Sequence, residues 1–291
     1  MKILVTGGAG YIGSNLIKHL KRHTNATITS MDNYFTGNKD NHIKGVKYIE
    51  DCTWDIQKLP KQDIVYHFGE YSRVVPSFKD VEYLTTTNLW GTSRVIEQCK
   101  KWKAKLIYSA SSSRFGGNAD LSPYSWVKTK MVELIENYKS WYGLKSEICY
   151  FYNVYGKNHI SEGDYATVIG IFEKQYKEGN PLTVRGDGKQ SRVFTHIDDL
   201  VSALIKIGKQ DDCRQWYLSS KKEYTINEVA KMFSNNIEYV PKKVGERDCS
   251  IIIPDTTEET LNWECKKDLK TYIKNFKNGK IFLVEKAYIR I

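Results

Sequence analysis

No stretch of this chain approaches the roughly 18 to 20 consecutive apolar residues that a membrane-crossing helix needs, so no membrane span is expected. The N-terminus also lacks a leader: Met1-Lys2-Ile3-Leu4-Val5 runs straight into glycines, without an h-region or cleavage site. A cytoplasmic protein is the expectation. The six cysteines (Cys52, Cys99, Cys149, Cys213, Cys249 and Cys265) stand singly, with no C-x-x-C pair. That spacing argues against a zinc site and against a disulfide framework. A chain of 291 residues can bury one sizeable core or two packed lobes without such staples. Internal repeats, low-complexity linkers and a clean domain boundary are missing too. So is a basic tract. The net charge is +10, but the lysines are spread along the chain and runs such as Lys100-Lys101-Trp102-Lys103 and Pro241-Lys242-Lys243 are short. This pattern suits an anionic small-molecule substrate better than nucleic acid.

What is present is a globular composition, 41% hydrophobic and 27% charged, which separates the chain from disordered ones. Over the first ~150 residues short apolar runs alternate with amphipathic stretches, the βαβα pattern of a parallel sheet covered by helices. Strands are expected at 3–5, 28–32, 64–68, 106–110 and 148–152. Ile12, Leu16 and Leu20 recur at helical spacing, and helices are expected at 89–101 and 124–142, the latter stopped by Gly143. Beyond Gly156 the rhythm loosens. A helix at 166–178, a strand at 182–184, a turn at 185–188 and a helix at 198–208 capped by Asp198 or Thr195 are expected. The segment 281–291 alternates like a strand.

Thr6-Gly7-Gly8-Ala9-Gly10-Tyr11-Ile12-Gly13 lies between the first strand and the first helix. It satisfies both G-x-G-x-x-G and G-x-x-G-x-x-G. Without Cβ atoms the chain turns tightly, and backbone N–H groups approach a pyrophosphate at a helix N-terminus. Asp32, 19 residues beyond Gly13 at the end of the second strand, is placed to accept both hydroxyls of an adenosine ribose. A carboxylate there repels a 2′-phosphate, so NAD is expected over NADP. The alternative for Asp32 is a turn-forming aspartate. Asn33 and Cys52 belong to the same neighbourhood, and Asp51 is a candidate partner for the adenine amino group or simply a strand-end cap.

Ser109-Ala110-Ser111-Ser112-Ser113 ends another strand, where ligands bind in open parallel sheets. Eleven residues past Ser113, Tyr124 and Lys128 form a Y-x-x-x-K pair on one helical face, after an N-cap and N1 at Ser122 and Pro123. A phenol of pKa about 10 is a poor base at neutral pH, but a nearby ammonium favours the phenolate. Such a tyrosine can exchange a proton with a sugar hydroxyl while NAD takes the hydride from the same carbon. Alone, Y-x-x-x-K is a common surface pair. Its place downstream of a serine-rich strand end and a dinucleotide loop gives it chemical meaning.

With TGGAGYIG, the DNYFTG stretch from Asp32, Asn88-Leu89-Trp90-Gly91-Thr92, the serine run, YxxxK, Tyr152-Asn153-Val154-Tyr155-Gly156 and Gly188-Lys189-Gln190-Ser191-Arg192-Val193-Phe194 in this order, the chain resembles the extended short-chain dehydrogenase/reductases of the NAD-dependent nucleotide-sugar epimerase and dehydratase group, over nearly its whole length. The resemblance implies an α/β fold with a Rossmann-type doubly wound parallel sheet and a smaller, interleaved α/β substrate lobe. Residues 1–156, with 190–218 returning to them through a strand at 215–218, would bind NAD. Residues 157–189 and 219–291 would bind the nucleotide sugar. It assigns Tyr124 as acid/base, Lys128 as a further holder of the nicotinamide ribose, and Ser111 as the hydroxyl partner. Gly7, Gly10, Tyr11, Ile12, Gly13, Asp32, Asn33, Asp51 and Cys52 fall to the cofactor. Ser111, Ser112, Ser113, Asn153, Arg192 and Lys243 fall to the substrate, Asn153 and Arg192 at the diphosphate. Lys243 stands where relatives carry arginine in Arg-x-Gly-Asp/Glu.

The serine run also discriminates among reactions. In related 4,6-dehydratases the two positions after the catalytic Ser/Thr are Asp–Glu, and related decarboxylases commonly have Glu at the second. Here Ser112 and Ser113 supply no carboxylate, so elimination lacks its acid and base. The expected activity is a 4-epimerase acting on a UDP-hexose: hydride leaves C4 and returns to the opposite face of a 4-keto sugar. A 4-keto reductase, a decarboxylase or dehydratase of the family, and a non-catalytic NAD sensor are the alternatives. Only seven residues separate Gly116 from Tyr124, where many relatives have a longer loop over the sugar. His67 and His196 read as structural. Trp90, Trp126 and Trp141 read as packing within the fold or in a homodimer, which the family commonly forms. No metal is expected.

Overall fold

The computed structural model describes residues 1–115 and 120–279. The strand expected at 281–291, and part of the short loop between Gly116 and Tyr124, lie outside the described residues.

The elements of the first half alternate strand and helix: β1 (Lys2–Thr6), α1 (Tyr11–His23), β2 (Thr27–Asp32), β3 (Lys47–Glu50), β4 (Ile64–His67), α2 (Val81–Leu84), α3 (Thr92–Trp102), β5 (Lys105–Ser111), α4 (Pro123–Tyr142) and β6 (Ser146–Phe151). The central strands β1 and β4 read as near-continuous apolar runs because the sheet is covered on both faces there: Leu4, Val5 and Val65 are fully buried. Helix α4 owes its start to Ser122, whose Oγ accepts the Ser125 N–H at 3.1 Å, with Pro123 in the first turn. Gly143 ends it in the left-handed conformation at φ 64°.

The helix expected at 89–101 divides. Thr85–Gly91 winds as a π-helix before α3 begins at Thr92. Two side-chain demands account for this. Asn88 turns inward to accept the Tyr71 N–H at 2.7 Å and donate to the Tyr71 carbonyl at 2.8 Å. A Cβ at Gly91 would lie 2.5 Å from Thr53 Oγ1, so the backbone packs there directly.

The second half contains β7 (Asn153–Tyr155), α5 (Val168–Glu178), β8 (Leu182–Arg185), β9 (Ser191–His196), α6 (Ile197–Lys209), β10 (Gln215–Leu218), β11 (Glu223–Thr225), α7 (Ile226–Phe233), β12 (Ile237–Val240), α8 (Thr257–Leu261) and α9 (Leu269–Lys277). β10 pairs in parallel with β6, completing a seven-stranded parallel sheet in the order β10-β6-β5-β4-β1-β2-β3. Smaller sheets join β11-β9-β7 and β12-β8. Helix α6 packs on α1, and its Leu200, Val201, Leu204 and Ile207 share one core with Leu16, Ile17 and Trp216. A separate core gathers Phe172, Leu182, Val184, Tyr224, Val229 and Phe233. The cap of α6 is neither Asp198 nor Thr195. His196 occupies that position and its Nδ1 accepts the Asp198 N–H at 3.2 Å, because the β9 ladder runs on to His196 and leaves Thr195 inside the strand.

Candidate active site

A cavity of about 600 Å³ opens along the C-terminal ends of the parallel strands, and every site residue named from the sequence lines it. At its floor Gly7 has φ +69°, and a Cβ there would lie 2.8 Å from the backbone of Phe68 and Gly69. At Gly13 a Cβ would come within 2.2 Å of the Gly7 carbonyl oxygen. The loop, β4 and α1 therefore meet backbone to backbone. Gly10 caps α1 without a side-chain acceptor, so the first-turn N–H groups at Tyr11 and Ile12 are the open end of the helix dipole. The Tyr11 side chain turns elsewhere: its ring lies 6.2 Å from His159, edge-on, and its hydroxyl is buried without a partner.

Asp32 closes the other side of the loop. Its carboxylate accepts the N–H groups of Ala9 and Tyr34, each at 2.8 Å, and burial pushes its pKa up against those bonds. The Gly10 N–H is also turned toward it, and the rest of its acceptor capacity is open to hydroxyls. A glycine cradle that a Cβ would fill, an uncapped helix end and a buried carboxylate fit the diphosphate and ribose of a dinucleotide. Asn33 donates to Tyr83 Oη at 3.1 Å and to Cys52 Sγ at 3.7 Å. Asp51 accepts from Cys52 N at 2.9 Å and pairs with Lys58 at 3.2 Å, so its carboxylate already has a cation.

At the opposite end, β5 delivers Ser111 and α4 delivers Tyr124 and Lys128. Ser111 Oγ accepts the Ser113 N–H at 3.2 Å. Ser113 Oγ itself is buried without a partner. Lys128 has partners that the sequence did not suggest. Its Nζ is held by the Glu70 carboxylate and the Ser109 carbonyl, and lies 4.3 Å from the centre of the Tyr108 ring.

Arginines line the remaining side of the cavity. Arg192, on β9, donates to the carbonyls of Ser191 at 2.7 Å and Arg247 at 2.8 Å. Arg247 reaches in from the segment before α8 to the Ser112 carbonyl and, at 3.2 Å, Ser112 Oγ. Burial pushes its pKa down to about 10, with Arg192 adding repulsion. Arg73, after β4, donates to the Tyr165 and Ser72 carbonyls. Asn153 donates to the Val193 carbonyl at 2.9 Å. Lys243 is exposed at the rim. Sequence reasoning missed Arg247, Arg73 and Glu70. Glu70 and Arg73 follow directly on a strand of the sheet, a position that could have flagged them. Arg247 lies four residues past Lys243 and carried no pattern of its own.

Residues 3–217 match the model of the NAD dependent epimerase/dehydratase family. Among curated proteins, a putative UDP-glucose 4-epimerase of Methanocaldococcus jannaschii is 30% identical over 95% of this chain and 97% of its own length. UDP-glucuronic acid decarboxylase 5 of Arabidopsis thaliana is 28% identical over 93% of this chain and 86% of its own. Among solved structures, the UDP-glucose 4-epimerase of Thermotoga maritima with UDP-glucose superposes with a TM-score of 0.90 at 25% identity, covering 99% of this chain and all of that one.

Proposed function

Because the chain belongs to the NAD-dependent epimerase/dehydratase family, we propose that it is a nucleotide-sugar 4-epimerase acting on a UDP-sugar. The observation that carries this reading is the serine-lined strand end. Ser111, Tyr124 and Lys128 share one cavity with the glycine loop, while Ser112 and Ser113 bring no carboxylate to the position where elimination would need one. Bound NAD supplies the hydride acceptor and donor. The residues do the rest. Tyr124 takes the proton of the C4 hydroxyl and returns it, Ser111 hydrogen-bonds the same oxygen, and Lys128 orders the site beneath them. Gly7, Gly10, Tyr11, Ile12, Gly13 and Asp32 hold the dinucleotide, with Asn33, Asp51 and Cys52 at its adenine end. Arg192, Arg247 and Asn153 hold the diphosphate, to which guanidinium forks are suited, while Lys243 at the rim adds only screened charge.

A second reading concerns the sugar. Arg73, Arg192 and Arg247 donate to carbonyl and hydroxyl oxygens, and among the described residues no salt bridge joins any of them to a carboxylate. A diphosphate brings two negative charges, so a third guanidinium favours a sugar that carries a carboxylate of its own. The name of the Arabidopsis relative points to the same class.

NMR of the protein with NAD, incubated separately with UDP-glucose, UDP-galactose, their N-acetylamino counterparts and UDP-glucuronate, tests both readings. Interconversion at C4 without net NADH, abolished by Tyr124→Phe, is expected. Release of carbon dioxide from the uronate would replace the epimerase with a decarboxylase. No turnover of any of the five would remove the UDP-sugar reading.

A homodimer belongs to the same proposal. Trp90, before α3, and Trp126 and Trp141, on α4, are 56%, 40% and 59% exposed, large aromatic side chains that a partner copy could cover.

A further inference from the structure

Glu70 lies three residues beyond β4 and stands at the centre of a buried polar chain. Its Oε2 holds Lys128 Nζ, and its Oε1 accepts from Thr92 Oγ1 at 2.9 Å and from Tyr108 Oη at 3.1 Å. The Lys128 and Glu70 side chains are only 6% and 3% exposed. Thr6 Oγ1 accepts the N–H groups of Phe68 at 3.1 Å and Gly69 at 3.0 Å, so its own proton goes to His67 Nδ1 at 2.7 Å. His67 is then a donor at Nε2, 2.9 Å from Thr92 Oγ1. Thr92 passes its proton on to Glu70. Each donor points toward the carboxylate, an arrangement that an acceptor-only, ionised group satisfies. Burial pushes His67 down to about 4, so the relay adds no charge of its own.

The charged and titratable groups facing Tyr124 come from four elements. Lys128 lies on its own helix, Arg73 after β4, Arg247 before α8, and the Tyr108 phenol on β5. Three of these are cations. Glu70 is the carboxylate set against them, in contact with Lys128.

We propose that Glu70 is a positioning residue of the reaction: it fixes Lys128 at the Tyr124 end of the cavity and offsets its charge, so that Tyr124 stays basic enough to take a proton as well as acidic enough to return it. An epimerisation needs both directions. An unopposed ammonium beside two arginines would favour the phenolate so far that it becomes too weak a base to take the proton of the sugar hydroxyl. The inference rests on the assignment of Tyr124 as acid/base, and its test needs no sugar, so its failure is separable from failure of the proposed reaction.

The test is ¹³C NMR of the NAD-bound protein labelled at tyrosine Cζ, with the Tyr124 signal identified by its loss in Tyr124→Phe. Glu70→Gln keeps the size of the side chain and removes its charge. Its Tyr124 titration is expected about one pH unit below that of the unaltered protein, while Glu70→Asp stays within a few tenths of it. A midpoint that is unmoved or raised in Glu70→Gln overturns the proposal, as does an aspartate that shifts as far as the glutamine. If Glu70→Gln does not fold, a crystal structure of the unaltered protein with NAD decides. Lys128 still paired with Glu70 supports the proposal, and an ammonium that has left it does not.

Discussion

Arg247 and Lys243 lie four residues apart, yet one enters the cavity and the other stays at its rim. Arg247→Ala is expected to weaken UDP binding, measured by calorimetry, by roughly ten- to a hundredfold, the scale of losing a charged hydrogen-bonding partner. Lys243→Ala should change it less than about threefold, since exposed charges are screened. Equal effects would return the diphosphate contact to Lys243. The buried histidine gives a pH signature. His67 is fully buried and its pKa falls from 6.5 to about 4 on folding, so the unfolded chain binds a proton that the folded one refuses. Its contribution is intact above pH 6.5 and is lost as the pH falls toward 4, by about 3 kcal/mol in all. Burial lowers His196 in the same sense. The melting temperature should therefore drop across that window, and less steeply in His67→Gln; an unchanged slope would mean that His67 is not the group responsible. Asp32, Ser111, Tyr124 and Lys128 were singled out by motif spacing, and the fold brings them into one cavity. Glu70 and Arg247 were not, because their role comes from contacts 58 and 135 residues away along the chain.

Among elements, the β1–α1 junction is the least tolerant. Gly13→Ala would bring a Cβ within 2.2 Å of a backbone oxygen that cannot move without displacing Gly7. Loss of NAD binding together with a lower melting temperature is expected; normal NAD affinity would show that α1 can shift away from the loop. Five strands of the large sheet, β1, β2, β4, β5 and β6, were readable because burial on both faces enriches them in apolar residues; β3, only half-buried, was not. The strands β7, β9, β11 and β12 were not, since they are three to six residues long and only partly apolar. Helix α7 was missed for another reason. Thr225 and Glu228 form a reciprocal capping box, a start signal that went unread. The split of the helix expected at 89–101 reflects the Asn88 and Gly91 contacts, which no periodicity encodes.

At the scale of the molecule, the chain returns to its first sheet after leaving it. β10 forms the edge beside β6, and Trp216, fully buried, donates to Glu147 Oε2 at 2.8 Å. Ile197, Leu200, Val201, Leu204 and Ile207 complete the core against α1. A chain ended at residue 189 would uncover that core, so it is expected to show no cooperative melting by circular dichroism. A cooperative transition would mean that the first half folds alone. The return of the strand at 215–218 followed from the family resemblance and not from composition, because a four-residue strand has no periodicity of its own to read.

The central claim is that hydrogen leaves C4 of a UDP-sugar and comes back to the same carbon. Its most direct test is to supply UDP-glucose and UDP-glucuronate carrying deuterium at C4, with NAD, in ordinary water, and to read the product by NMR. A C4 epimer that keeps its deuterium is expected. A product that has exchanged C4 hydrogen with solvent, has lost its carboxylate, or does not form from either sugar would contradict it.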